Sequence, residues 1–188
     1  MHPNVYLIHM SDILRSSTED QALLRPIALW AVNYTERVLP IFENAHPNDP
    51  HPRQAVEAAR EFGKGKKRDA DLRSISIAAF KLGKTTEGPP KYVTRAACAV
   101  AAITYTHTDL ATGIQGVRQA QHILSPIVYA ALALGKDSDD LINDAITSAP
   151  PEARFILRQM PPQPASEKRE GALFARLDAG LRDSELAA

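Results

Sequence analysis

Apolar residues along this chain recur at steps of three and four. The clearest run is Leu23, Ile27, Ala31, Tyr34 and Val38, which lie on one face of a helix. Trp30 sits beside that face. The preceding string SSTEDQ offers Ser17 or Thr18 as N-cap, with Glu19 and Asp20 in the first turn against the helix dipole. Pro26 falls inside the pattern and predicts a separate short helix before a long one that begins near it. Pro40 predicts a kink, while Ile41 and Phe42 keep the apolar phase to about Asn44. The corner HPNDPHP then places three prolines in seven residues. Beyond it Asp49 reads as an N-cap with Pro50 at the first helical position. Ala55, Val56, Ala59 and Phe62 form a narrow buried stripe, and Gly63 and Gly65 stop the helix.

Asp69 to Lys84 reads as the next helix, with Leu72, Ile75, Ala79 and Leu82 on one face. The segment from Pro90 to about His107 reads as the centre of the core, where Ala96, Ala97, Ala99, Ala101 and Ala102 let neighbouring backbones come close. Asp109 is the expected cap of a helix marked by Ile114, Val117, Gln121, Leu124, Val128 and Ala131 and bent at Pro126. A short helix follows from Asp137 or Ser138 to Ile146, and another from Pro151. After the linker PPQPAS comes a terminal helix, Glu167 to Leu181, with Leu173, Phe174, Leu177 and Leu181 on its apolar side. No segment alternates long enough to require a strand. The expected fold is all-α: one globular multi-helix bundle with antiparallel hairpins and a C-terminal helix after a Pro-rich linker. The predicted division is a bundle over 1–160, with its core in 17–147, and an appendage over 161–188. The terminal helix either docks back or mediates a homodimer. The short apolar run VYLI reads as an edge or capping segment, and no fixed-period repeat is present.

At 188 residues, 44% hydrophobic and 23% charged, the chain is long enough for one domain with a real core. Twenty-two Lys and Arg against twenty-two Asp and Glu leave no net charge to favour nucleic acid or an acidic membrane. A single Cys excludes an internal disulfide. The opening MHPNVYLIHMSDIL has neither a basic region nor a long apolar run, so the sequence predicts a cytoplasmic protein with no signal peptide and no bilayer span.

Chemistry is sparse. His46, His51, His107 and His122 are scattered, with no HExxH, CxxC or HxH spacing, so no metal site is predicted. No GxSxG or phosphate-loop pattern occurs, and Cys98 lies among alanines; no catalytic residue and no cofactor are predicted. The basic run Lys64, Lys66, Lys67 and Arg68 reads as solvated surface at a helix end. The densest polar constellation is Glu36, Arg37, His46, Asp49 and Arg53, which an antiparallel hairpin would bring to one end of the bundle. It reads either as a capping and ion-pair network, with Arg53 closing on Glu36, or as a patch for a partner. His107, followed by Thr108 and Asp109, is a second candidate, read most simply as a helix-terminus histidine. Trp30 and Tyr34 join them if the bundle encloses a pocket.

The string LWAVNYTERVLPIFENAHPNDPHPRQAVEAAREFGKGK resembles the hallmark of the immunity-five-like family, small all-helical proteins of bacterial toxin–immunity systems. That hallmark runs along the lines of LWAxxCAERVLPLFE followed by HPxDxRPRxAIEAARAWxxG. Leu29, Trp30, Ala31, Glu36, Arg37, Pro40, His46, Pro47, Asp49, Pro52, Arg53, Arg60 and Gly63 are among the positions that agree. His51 stands where the family often has Arg, and Asn33 and Tyr34 replace small or Cys residues. The resemblance implies a toxin as partner and non-covalent binding as the mode of action, and it brings no catalytic residues with it. A small-molecule binder or small enzyme with a pocket near Trp30, Tyr34 and His107 is the alternative, and an oligomeric scaffold a third.

Overall fold

Helix α1, Thr18–Ala45, runs unbroken through both Pro26 and Pro40 in the computed structural model, which describes residues 18–68, 70–109, 111–135 and 138–183. The expected division at Pro26 is therefore absent. Each proline removes one intrahelical N–H and disfavours a helix interior by about 3 kcal/mol. Leu24, Ile27, Val38, Leu39 and Phe42 are fully buried on either side of the two prolines. At about 1.5–3 kcal/mol for each large apolar side chain, packing outweighs the local preference. The VYLI run and the caps proposed at Ser17 and Asp137 lie outside the described residues.

The second helix, α2, spans His51–Gly63, with Pro50 at its N-cap and Pro52 buried in its first turn. The sequence placed Asp49 at the cap and Pro50 inside; the structure moves both outward by one position. Arg25 of α1 closes the far end, donating to the carbonyls of Phe62 and Lys66 with its guanidinium 4.8 Å above the Phe62 ring. A cation there meets the negative end of the α2 dipole. Gly63 permits this close approach, since a Cβ would stand 2.5 Å from Leu29 Cγ. Gly65, at φ 118°, turns the chain away.

Helix α3 covers Ala70–Thr85 and α4 covers Gly88–Ala102, continued by a 3₁₀ turn at Ile103–Tyr105. α4 occupies the middle, packed on α1, α2, α3 and α5 (Gly113–Leu134). Ala96, Ala97, Ala99, Ala101 and Ala102 are all buried, with Val93, Val100 and Ile103 between them. α5 also contains its proline, Pro126, without a break, and its N-cap is Thr112. Asp109 is not the cap. It is exposed, and its carboxylate lies 3.6 Å from His107 Nδ1.

Helices α6 (Ser138–Ser148), α7 (Pro151–Gln159) and α8 (Arg169–Asp183) complete eight α-helices, with no strand among the described residues. α8 docks back on α5, α6 and α7. Polar bonds sew the linker beneath it: the Gln163 amide donates to Asp178 Oδ2 at 2.8 Å. Arg182 donates to the same oxygen at 2.9 Å and to the Met160 carbonyl. The buried guanidinium of Arg154 donates to the carbonyls of Ile146 and Leu181, tying α7 to both neighbours.

Candidate functional site

The antiparallel register of α1 and α2 decides how the corner residues pair. Arg53 donates from Nε and Nη2 to the two carboxylate oxygens of Glu43, at 2.5 and 2.9 Å. Glu36 lies two turns farther along α1, where it accepts from Arg60 at 2.9 Å. The expected Arg53–Glu36 closure is thus replaced by two rungs of one ladder, and Arg60 and Glu43, which lay outside the polar constellation read from the sequence, are the actual partners. Glu36 and Arg37 accordingly lie away from the corner. Arg53 holds the Glu43 carboxyl below its ordinary range.

Within the corner, Asp49 caps by a different route. Its Oδ1 accepts from the His51 backbone N–H at 3.1 Å and lies 2.6 Å from His51 Nδ1, an Asx-type turn just ahead of the helix. Burial pushes the Asp49 carboxyl up, but the His51 backbone and ring outweigh it and the net shift is downward. His46 stacks on Phe42, ring centroids 4.7 Å apart. Residues 44–48, Pro50, His51, Arg53 and Gln54 are all exposed, so this corner is a projecting surface of fixed shape.

Arg37 points to another neighbour. It donates to Asp144 Oδ2 of α6 at 2.6 Å and spreads over the Tyr34 ring at 4.5 Å. Tyr34 is buried, with its hydroxyl 2.6 Å from Ser148 Oγ; burial raises its phenol, whereas Arg37, with Tyr34 in second place, lowers Asp144. Trp30 packs edge-on to Tyr34 at 6.1 Å, and its buried indole N–H has no hydrogen-bond partner among the described residues. His107 is buried; its backbone N–H donates to Gln119 Oε1 at 2.8 Å, and its ring Nε2 has no partner among the described residues. Of the basic run, Lys64, Lys66 and Lys67 are exposed as expected. Arg68 instead turns inward to the Thr104 carbonyl and the face of Tyr105.

A cavity of about 860 Å³ opens between α3, α4, α5 and α8. Its walls include His122, Cys98, Tyr129 and Phe174, and it excludes Trp30, Tyr34 and His107, around which the sequence had placed a pocket. Burial drives the His122 imidazole down to about 4, and its Nδ1 is buried without a hydrogen-bond partner among the described residues. Cys98 is buried, as read from its alanine neighbours; burial raises its thiol to about 11, so it stays protonated at neutral pH. Among the described residues no group of three or more His, Cys, Asp or Glu could hold a metal ion, and no helix is long and apolar enough to cross a membrane.

Residues 17–149 match the family model described as Imm-5 like putative immunity protein. No curated protein and no solved structure matches the chain. The matched span covers α1 to α6 and with them the ladder, the corner and the Arg37–Asp144 pair.

Proposed function

We propose, from the premise that this chain belongs to the Imm-5 like putative immunity protein family, that it neutralises a toxin in the cytoplasm by binding it non-covalently through the proline corner and the adjoining flank of α1. The observation that carries the reading is the corner itself: almost wholly exposed, yet locked by three prolines, the Asp49–His51 turn and the Glu43–Arg53 fork. A surface ordered in advance loses little conformational entropy when a partner covers it. His46, Arg53, Asp49 and, along the flank, Arg37 offer the aromatic and guanidinium groups that anchor protein interfaces. Tyr34, buried beneath the Arg37 guanidinium, would hold that flank from below, whereas Trp30 and His107 are buried toward the other end of the hairpin. Cys98, with its thiol held protonated, gives no nucleophile to a catalytic alternative.

The test is co-expression with each neighbouring gene product that is toxic when expressed alone. The chain should restore growth and co-purify with the toxin in a stable complex. Arg53→Glu and His46→Ala should abolish rescue while leaving the melting temperature within about a degree or two, as exposed charges do when removed. Rescue undiminished in both variants would move the interface elsewhere, and the absence of any neutralised toxin would remove the function.

A further inference from the structure

We propose that Asn44, Asn48 and Gln54 are the residues that select the partner, and that they do so by hydrogen bonds to uncharged groups on the toxin. This rests on the reading of the proline corner as the binding surface and names what that surface recognises.

The ionisable side chains around the corner are already answered within the chain. Glu43 holds Arg53, Asp49 holds His51, Glu36 holds Arg60 and Asp144 holds Arg37, at 2.5 to 2.9 Å. Groups held in this way give the surface its shape and anchoring area. They separate one partner from another poorly, because each new contact must share or replace a bond already made. Asn44, Asn48 and Gln54 differ. All three are exposed, and their amides hydrogen-bond to none of the described residues. Each amide carries one acceptor oxygen and two N–H donors. Once covered, it must be matched or left unsatisfied, and a rival surface with the wrong pattern bears that cost in full. An amide has no charge of its own, so its match is a neutral donor and acceptor, such as a main-chain N–H or carbonyl.

The spacing of the three amides is fixed from behind. Asn44 follows Glu43 and Gln54 follows Arg53, so the fork between those two neighbours sets the distance from one amide to the other. Asn48 takes the third position of a turn in which the Asp49 N–H donates to the His46 carbonyl at 3.1 Å, with Pro47 at the second position. Three neutral amides held on so short a frame demand one pattern of donors and acceptors, and the chain gives up little conformational freedom to meet it.

The experiment is isothermal titration of the full chain against the toxin that it neutralises, in a form inactivated by substitution. Asn44→Ala, Asn48→Ala and Gln54→Ala should weaken binding by about three- to tenfold each, and the triple variant by on the order of a hundredfold. Their melting temperatures should stay within about a degree or two of the parent's. Among the described residues only glycines have a positive φ, so alanine is unstrained at all three positions. Asn48→Asp keeps the shape but exchanges two donors for a negative charge, and it should bind no better than Asn48→Ala. A triple variant that binds within about threefold of the parent would overturn the inference while leaving the corner as the binding surface. So would an Asn48→Asp variant that binds more tightly than the parent, since it would show a cationic partner read by charge. Failure of the unaltered chain to bind any toxin would remove the proposed function and this inference together.

Discussion

Asp49 and Arg53 sit four residues apart in the corner but hold it in different ways. Asp49 satisfies a backbone N–H that no helical carbonyl can reach, so Asp49→Ala should destabilise the chain by roughly 0.5–2 kcal/mol, the range for a lost capping bond. Arg53 spends 54% of its side chain in solvent, so its fork on Glu43 should contribute only about 0–1 kcal/mol and Arg53→Ala should melt almost as the parent does. Thermal denaturation at neutral pH separates the two. His122 governs the response to acid. Its folded value of about 4 lies below the usual 6.5 of an unfolded histidine, so the native state binds fewer protons between those values. Stability is full above about pH 6.5 and declines as pH falls toward 4, by on the order of 3 kcal/mol from this residue. Asp49 and Glu43, both lowered, add losses of the same sign at lower pH. In His122→Gln the fall in melting temperature between pH 7 and about pH 4.5 should shrink. An unchanged slope would show that His122 charges freely in the folded chain.

At the scale of elements, α5 shows how tightly the C-terminal segment is seated. Gly116 lies where a Cβ would meet the Ala111 backbone and Pro161 Cδ, each at 2.6 Å. Neither is the far end of a flexible side chain, so Gly116→Ala should cost about 1–3 kcal/mol even though alanine is the better helix former. A chemical denaturation midpoint lowered with unchanged slope would confirm it. The helices themselves were legible in the sequence, since buried faces such as Leu24 to Phe42 repeat over many turns. The continuity at Pro26 was not: the proline carries a strong local preference, and only burial on both sides, invisible in a one-dimensional pattern, overrides it, whereas the apolar phase of Ile41 and Phe42 already carried the helix past Pro40. Register escaped for a related reason. A loop of prolines shows that the chain turns but not which rungs face each other, so Arg53 was assigned to Glu36 instead of Glu43. The cavity was less legible still, because its walls come from four helices.

For the molecule as a whole, the family match ends at residue 149, yet the packing does not. Leu173, Phe174, Leu177 and Leu181 of α8 are buried, each worth about 1.5–3 kcal/mol as an upper figure. Together these rival the roughly 5–15 kcal/mol that stabilises a typical domain. A chain ending at Gln159 should therefore lose its cooperative melt and bind a hydrophobic dye at room temperature, while a cooperative transition near that of the full chain would show α8 to be dispensable. The centre of that packing is α4, whose alanines space the central helices by the width of a methyl group. Over evolutionary time such a centre can drift very little, since almost any replacement there must push a whole helix aside. In the projecting corner, by contrast, the exposed positions between the prolines, the Asp49 turn and the Arg53 fork, namely Asn44, Ala45, Asn48 and Gln54, bear no such restriction. A lineage of these proteins pressed to follow a changing adversary could thus rewrite what it recognises at one end of the hairpin, while inheriting the frame intact.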